Sequence, residues 1–154
     1  MMAGTFIALM MFVMLGTSDQ LTDKYRKADS EIGFANTLLA ASDALVLTPG
    51  SPPNWEGITV TEGNLQSFGL ASAPNVISPA KAARMENLNE SGYSAIRAAL
   101  GLSASNVSIE IMLLGDTAPL YSFGVKPANT SRSSVFERVA SLNGSAVLVR
   151  LQAG

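Results

Sequence analysis

The opening residues Met1–Ser18 (MMAGTFIALMMFVMLGTS) carry no ionisable side chain, and the first in the chain is Asp19. Wound as a helix at about 1.5 Å per residue, this run spans roughly 27 Å, just short of a bilayer's ~30 Å hydrocarbon core. It is apolar on every side rather than along one stripe, so it has to be buried in lipid or among other helices. Met2, Phe6, Ile7, Leu9, Met10, Phe12, Val13 and Leu15 supply the bulk. Gly4, Ala8 and Gly16 are small enough to let helices approach closely in apolar surroundings. Met1, Met2, Met10, Met11 and Met14 have no Cys or His beside them, and they read as adaptable packing rather than a soft-metal site. A cleaved secretory signal fits poorly, because no Lys or Arg precedes the run and no A-x-A-like cleavage site follows it.

The helical pattern continues past the apolar run. From Asp19 to Leu47 there is no proline and no stopping cluster. Ile32, Ala35, Leu38, Leu39, Ser42, Leu45 and Val46 recur at the spacing of one helical face. Asp19, Asp23, Lys24, Arg26, Lys27, Asp29 and Glu31 form a polar collar between the two halves, with Asp23 and Lys27 at ion-pair spacing. The pattern predicts one continuous helix, which Thr48-Pro49-Gly50-Ser51-Pro52-Pro53 then stops. Trp55, the single tryptophan, reads as the anchor that pins this loop to the body of the domain.

Beyond the loop the period changes. Ile58–Thr61 reads as a short strand and Gln66–Ala73 as irregular, with Phe68 and Leu70 inward. Ser78-Pro79 predicts an N-cap and first helical residue, with a helix to about Leu88, and a second short helix over Ser91–Leu100 ends at Gly101. Strands follow over Val107–Leu114, Leu120–Val125, Val135–Leu142 and Ala146–Leu151, the last two flanking the hairpin signal Asn143-Gly144. The expected fold is α+β: a long N-terminal helix, apolar then amphipathic, packed through residues such as Leu38 and Leu45 on a small antiparallel sheet with two short helices. Three segments are expected: a hydrophobic helix over 1–18, its amphipathic continuation over 19–48, and a β-rich head over 49–154.

Composition narrows the chemistry. Charged residues are 14% of the chain, against about 25% in a typical soluble domain. The chain has no cysteine and no histidine, which removes disulfides, thiolate nucleophiles, the commonest general base and the commonest transition-metal ligand. A net charge of −2 without a basic cluster argues against nucleic acid. The acidic residues beyond the collar lack metal or carboxylate-pair spacing, and no phosphate-binding glycine loop or nucleophile elbow is present. The sequence therefore points away from an enzyme and calls for no catalytic residue, metal or cofactor. It does carry four N-x-[ST] acceptor sequences, at Asn89, Asn106, Asn129 and Asn143, all in the head and compatible with N-linked glycans.

Taken in order, these features resemble the type IV pilins of archaea, the class III signal-peptide proteins. The resemblance spans nearly the whole chain. It is carried by the uncharged helix, LVLTPGSPPNWEG (45–57), GLASAPNVISPAKAARMENL (69–88) and SGYSAIRAALGL (91–102). It implies a basic leader removed by a prepilin peptidase, passage through the cytoplasmic membrane, and assembly by pilus machinery into an extracellular filament. In such a filament copies of the helix bundle into a core and the heads, often glycosylated, face outward for adhesion or cell–cell contact. The chain departs from the family at its fifth residue, where many mature pilins carry glutamate and this sequence has Thr5. The competing expectations are a membrane-anchored surface-binding domain or a minor pilin.

Overall fold

The computed structural model of the chain describes residues 3–128 and 133–154, with side chains described from Lys24 onward. Helix α1 covers Ala3–Leu47. By internal contacts the chain divides into one unit over Met1–Ala35 and a second over Asn36–Gly154, so residues 36–47 of α1 belong with the head. The side chains of Met2, Gly4, Phe6, Ile7, Ala8, Leu9, Met10, Phe12, Val13, Leu15 and Gly16 lie outside the described residues.

The second unit is α+β. Its strands are β1 (Ala71–Ala73), β2 (Val76–Ile77), β3 (Val107–Leu113), β4 (Pro119–Gly124), β5 (Ser134–Leu142) and β6 (Ser145–Ala153). They form one sheet in the order β1-β2-β5-β6-β3-β4. The sheet is mixed rather than antiparallel throughout, because β2 runs parallel to β5 with Val76 opposite Ser141. That pairing begins where Ser141 N–H donates to the Asn75 carbonyl at 2.8 Å. The β5–β6 hairpin turns through Asn143 and Gly144 at φ 52° and 81°, the left-handed pair that a two-residue turn of matching twist requires.

Two helices complete the head. In α2 (Pro79–Asn87) the Ser78 side chain accepts from Lys81 N–H and Pro79 occupies the first turn, where its missing N–H costs nothing. Helix α3 (Tyr93–Ala99) ends at Gly101, whose φ of 73° suits a residue without a Cβ. Ile58–Thr61, expected as a strand, forms no ladder. The Asn64 side chain takes its backbone groups instead, accepting from Thr61 N–H at 2.8 Å and donating to the Thr59 carbonyl at 2.5 Å. Conversely, the end of the stretch expected to be irregular, Ala71–Ala73, pairs with β2 through a turn at Asn75.

One face of the sheet holds Val107, Ile109 and Ile111 of β3 beside Val147, Val149, Leu151 and Ala153 of β6, all buried. Arg138 of β5 shares that face and reaches Asp43 of α1 at 2.7 Å. Leu38, Ala41, Leu45 and Val46 of α1 are buried with it. The opposite face of β3 starts with polar residues, yet Ser108, Glu110 and Met112 are buried too. The cause is topological. Going from β4 to β5 means crossing β3 and β6, and the start of that crossing turns to the Glu110 face: Pro127 is buried, and Lys126 Nζ meets Glu110 at 2.8 Å. Glu110, Arg150 and Glu137 stand side by side on β3, β6 and β5, so the buried carboxylate is met by two cations.

Candidate functional site

The end of α1 is where the head holds the helix. A helix leaves its last carbonyls without partners, and here the following chain supplies them. Leu70 N–H donates to Leu45 O at 3.0 Å, Asn75 N–H to Val46 O at 2.7 Å, and Thr48 N–H to Ala44 O at 3.1 Å. The proline-rich loop is then tied back by Ser51, whose N–H donates to Ser67 O at 2.9 Å and whose carbonyl accepts from Gln66 N–H at 2.8 Å. Trp55 lies beneath this loop, fully buried, with its indole N–H on the Gly69 carbonyl at 2.9 Å and its ring 4.8 Å from that of Phe68. Gly69 is needed for close approach, since a Cβ there would sit 2.2 Å from the Thr48 carbonyl oxygen.

A buried lysine completes the clamp. Lys81 of α2 donates from Nζ to the Pro49 carbonyl at 2.5 Å, a cation close to the negative end of α1. Burial pushes the ammonium below the ordinary lysine value of 10.5, and the Glu56 carboxylate pulls it partway back. A lysine whose folded value lies below its unfolded value costs stability at all lower pH, and the cost fades as pH climbs toward 10.5. Head stability is therefore expected to gain from this group over the alkaline range just under 10.5. Denaturant titrations of wild type and Lys81→Met across that range check it, and wild type should gain stability relative to Lys81→Met as pH rises.

The acceptor asparagines fall in three different settings. Asn143 is exposed on the hairpin turn and its Ser145 is exposed beside it. Asn89 and Ser91 are also exposed, but the Asn89 amide oxygen accepts from Gly124 N–H at 2.5 Å. There it works with Glu86, which accepts from Ser122 N–H at 3.4 Å, to cover the outer N–H groups of edge strand β4. Asn106 is exposed, yet its Ser108 is 4% exposed within β3, and its own backbone is paired both ways with Gly154. Asn129 lies outside the described residues. A transferase acting on the folded head needs both the amide and the hydroxyl within reach. Glycopeptide mass spectrometry is therefore expected to find Asn143 most occupied, Asn89 less, and Asn106 empty. Sequence reasoning weighted these sites equally because burial of the third residue is invisible in a three-letter pattern.

An open groove of 360 Å³ runs past the same hairpin, lined by Leu113, Leu120, Tyr121, Leu142, Asn143, Ser145 and Val147. Tyr121 is its one titratable group, so the lining offers contact surface rather than an acid–base pair. Among the described residues no three carboxylates gather as a metal site, and no helix is long and apolar enough to cross a membrane. The uncharged run Met1–Ser18 lies outside the residues so assessed. Comparison with protein-family models, curated proteins and solved structures finds no match to the chain.

Proposed function

We propose that this chain is a structural subunit of an archaeal type IV pilus-like extracellular filament, polymerising through the hydrophobic helix over 1–18 and carrying its head outward for adhesion or cell–cell contact. In this reading one helix, apolar in its first half and amphipathic in its second, packs on the head through the second half. The membrane holds the subunit before assembly, and copies of the same helix replace lipid afterwards. A prepilin peptidase and the pilus assembly machinery are the partners the pathway needs.

The observation that carries the reading is the join between the two halves. No proline and no glycine–serine linker stands between the uncharged Met1–Ser18 and the residues the head buries at Leu38, Ala41 and Leu45. A mere anchor tolerates such a linker, whereas a polymerising helix needs its register with the head kept. Contacts between different surfaces of identical subunits then build an open helical polymer rather than a closed ring.

Negative-stain electron microscopy of material sheared from expressing cells, with mass spectrometry of the filaments, tests it. Thin filaments composed mainly of this chain are expected. Recovery of the chain only in the membrane fraction would favour the second reading, a membrane-anchored surface-binding domain or minor pilin, which the open uncharged groove beside Tyr121 supports.

A further inference from the structure

The end of the sheet at the β5–β6 turn is where the head leaves apolar surface open. Val147 is fully buried there, yet Leu113 and Tyr121 are only half-buried and Leu120 is 45% exposed. These side chains line the 360 Å³ groove, and no charged residue is among its lining. The volume lies within the roughly 300–1,000 Å³ of small-ligand sites, but an open uncharged groove does not by itself name an occupant. Its rim does. Asn143 and Ser145, the first and third residues of the exposed acceptor Asn143-Gly144-Ser145, belong to the same lining. The left-handed pair Asn143 and Gly144 fixes the turn that holds the acceptor there. The Asn143 amide makes no hydrogen bond among the described residues, whereas that of Asn89 is taken by Gly124 N–H.

We propose that this groove is the seat of a glycan carried on Asn143, whose first sugar ring lays a C–H face over Leu113, Leu120 and the Tyr121 ring and keeps its hydroxyl edge in water. This rests on Asn143 being glycosylated, and so on the outward-facing head of the filament reading. The donor is a lipid-linked oligosaccharide. The Asn143 amide nitrogen forms a bond to the sugar C1, the bond from C1 to the lipid phosphate oxygen breaks, the phosphate leaves with the electron pair, and the amide gives up one proton. A pyranose suits the lining, because its apolar faces cover leucine and aromatic surface without bringing a charge. The tether makes weak contacts sufficient. A free ligand pays for lost translation and rotation, whereas a sugar bonded to a rim residue meets the groove at an effective concentration of about millimolar or more. A second copy or a foreign ligand has no such advantage.

Tyrosine nitration reads the contact directly, because the chain has only 3 tyrosines. Tyr121 reports the groove, and Tyr25, 69% exposed on α1, is the internal reference. The full chain in detergent is treated with tetranitromethane in separate forms and read by peptide mass spectrometry. One form is wild type from its native cells. Another is Asn143→Asp from the same cells, which keeps a residue suited to the turn and leaves the other acceptors in place. The last is wild type from a bacterial host without N-glycosylation, and near-ultraviolet dichroism confirms that each head is folded. Relative to Tyr25, Tyr121 is expected to be nitrated severalfold more slowly in the glycosylated wild type than in either other form. Equal rates in all forms, with Asn143 carrying its glycan, overturn the seat and leave the filament reading standing. Protection that persists without the glycan and grows with protein concentration gives the groove to a second copy and overturns the seat as well. Filaments whose Asn143 is unmodified overturn it at its premise. A protected Tyr121 in a glycosylated chain that forms no filaments keeps the seat and removes the filament reading.

Discussion

Trp55→Ala is expected to remove most of the stability of the head. The indole is fully buried against Phe68, and truncating a buried tryptophan costs about 3–5 kcal/mol in transfer and cavity terms. The Gly69 carbonyl, which accepts the indole N–H at 2.9 Å, is left unpaired, adding roughly 1–3 kcal/mol. Against a typical folding free energy of about 5–15 kcal/mol the sum is large enough to leave a substantial unfolded population. Trp55→Phe separates the two effects, because it keeps most of the apolar area and loses only the hydrogen bond. Denaturant unfolding of the intact chain in detergent, followed by far-ultraviolet dichroism, should rank wild type above Trp55→Phe and Trp55→Ala last. A loss under about 1 kcal/mol for Trp55→Ala would mean that the loop after α1 is not part of the cooperative core.

The same loop marks where sequence reading reaches its limit. The helix stop at Pro49, the anchoring role of Trp55, the Ser78 cap and the Asn143-Gly144 turn are all local chemistry, decided within a few residues, and each has its expected form in the structure. What was not legible depends on partners distant in sequence. Val76 and Ile77 are too short to announce a strand, and their parallel pairing with β5 depends on Ser141, far along the chain. Ile58–Thr61 has strand-like residues but is claimed by the side chain of Asn64.

The candidate sites divide in the same way. Asparagine acceptors are visible as a pattern, but whether each can be used depends on Ser108 being folded into β3 and on Asn89 serving the edge of β4. Glu110 looked like one of several isolated acids. Its burial follows from the route of the chain between β4 and β5, which puts Lys126 over it while the register of β6 puts Arg150 beside it. No periodicity carries that information, because it is a property of strand order. Ile32 is the reverse case: its spacing sets it on one helical face with Leu38 and Leu45, yet it is 60% exposed while they are buried.

Ala8→Glu is expected to abolish filaments while leaving the head folded. Ala8 lies near the middle of the uncharged run, so the substitution puts a carboxylate where no ionisable group stands within ten residues on the C-terminal side. Before assembly, an ionised side chain at the centre of a membrane helix costs roughly 2.5–3.5 kcal/mol on insertion scales, more where the bilayer cannot deform around it. After assembly the same charge repeats in every subunit among apolar neighbours with no cationic side chain in the run to pair with it, so the cost recurs at each addition to the polymer. Each added copy also brings a like charge into the same apolar core, which opposes further growth. Ala8→Ser, small and uncharged, should assemble nearly as wild type, because a serine hydroxyl can bond back to its own helix. Electron microscopy of sheared material counts the filaments, and near-ultraviolet dichroism of the detergent-solubilised chain reports the head. Loss of filaments in Ala8→Glu, with a native head spectrum and the chain still recovered from the membrane fraction, places the apolar run inside the polymer. Wild-type numbers of filaments from Ala8→Glu cells would remove it from the polymer core and leave it the role of a membrane anchor.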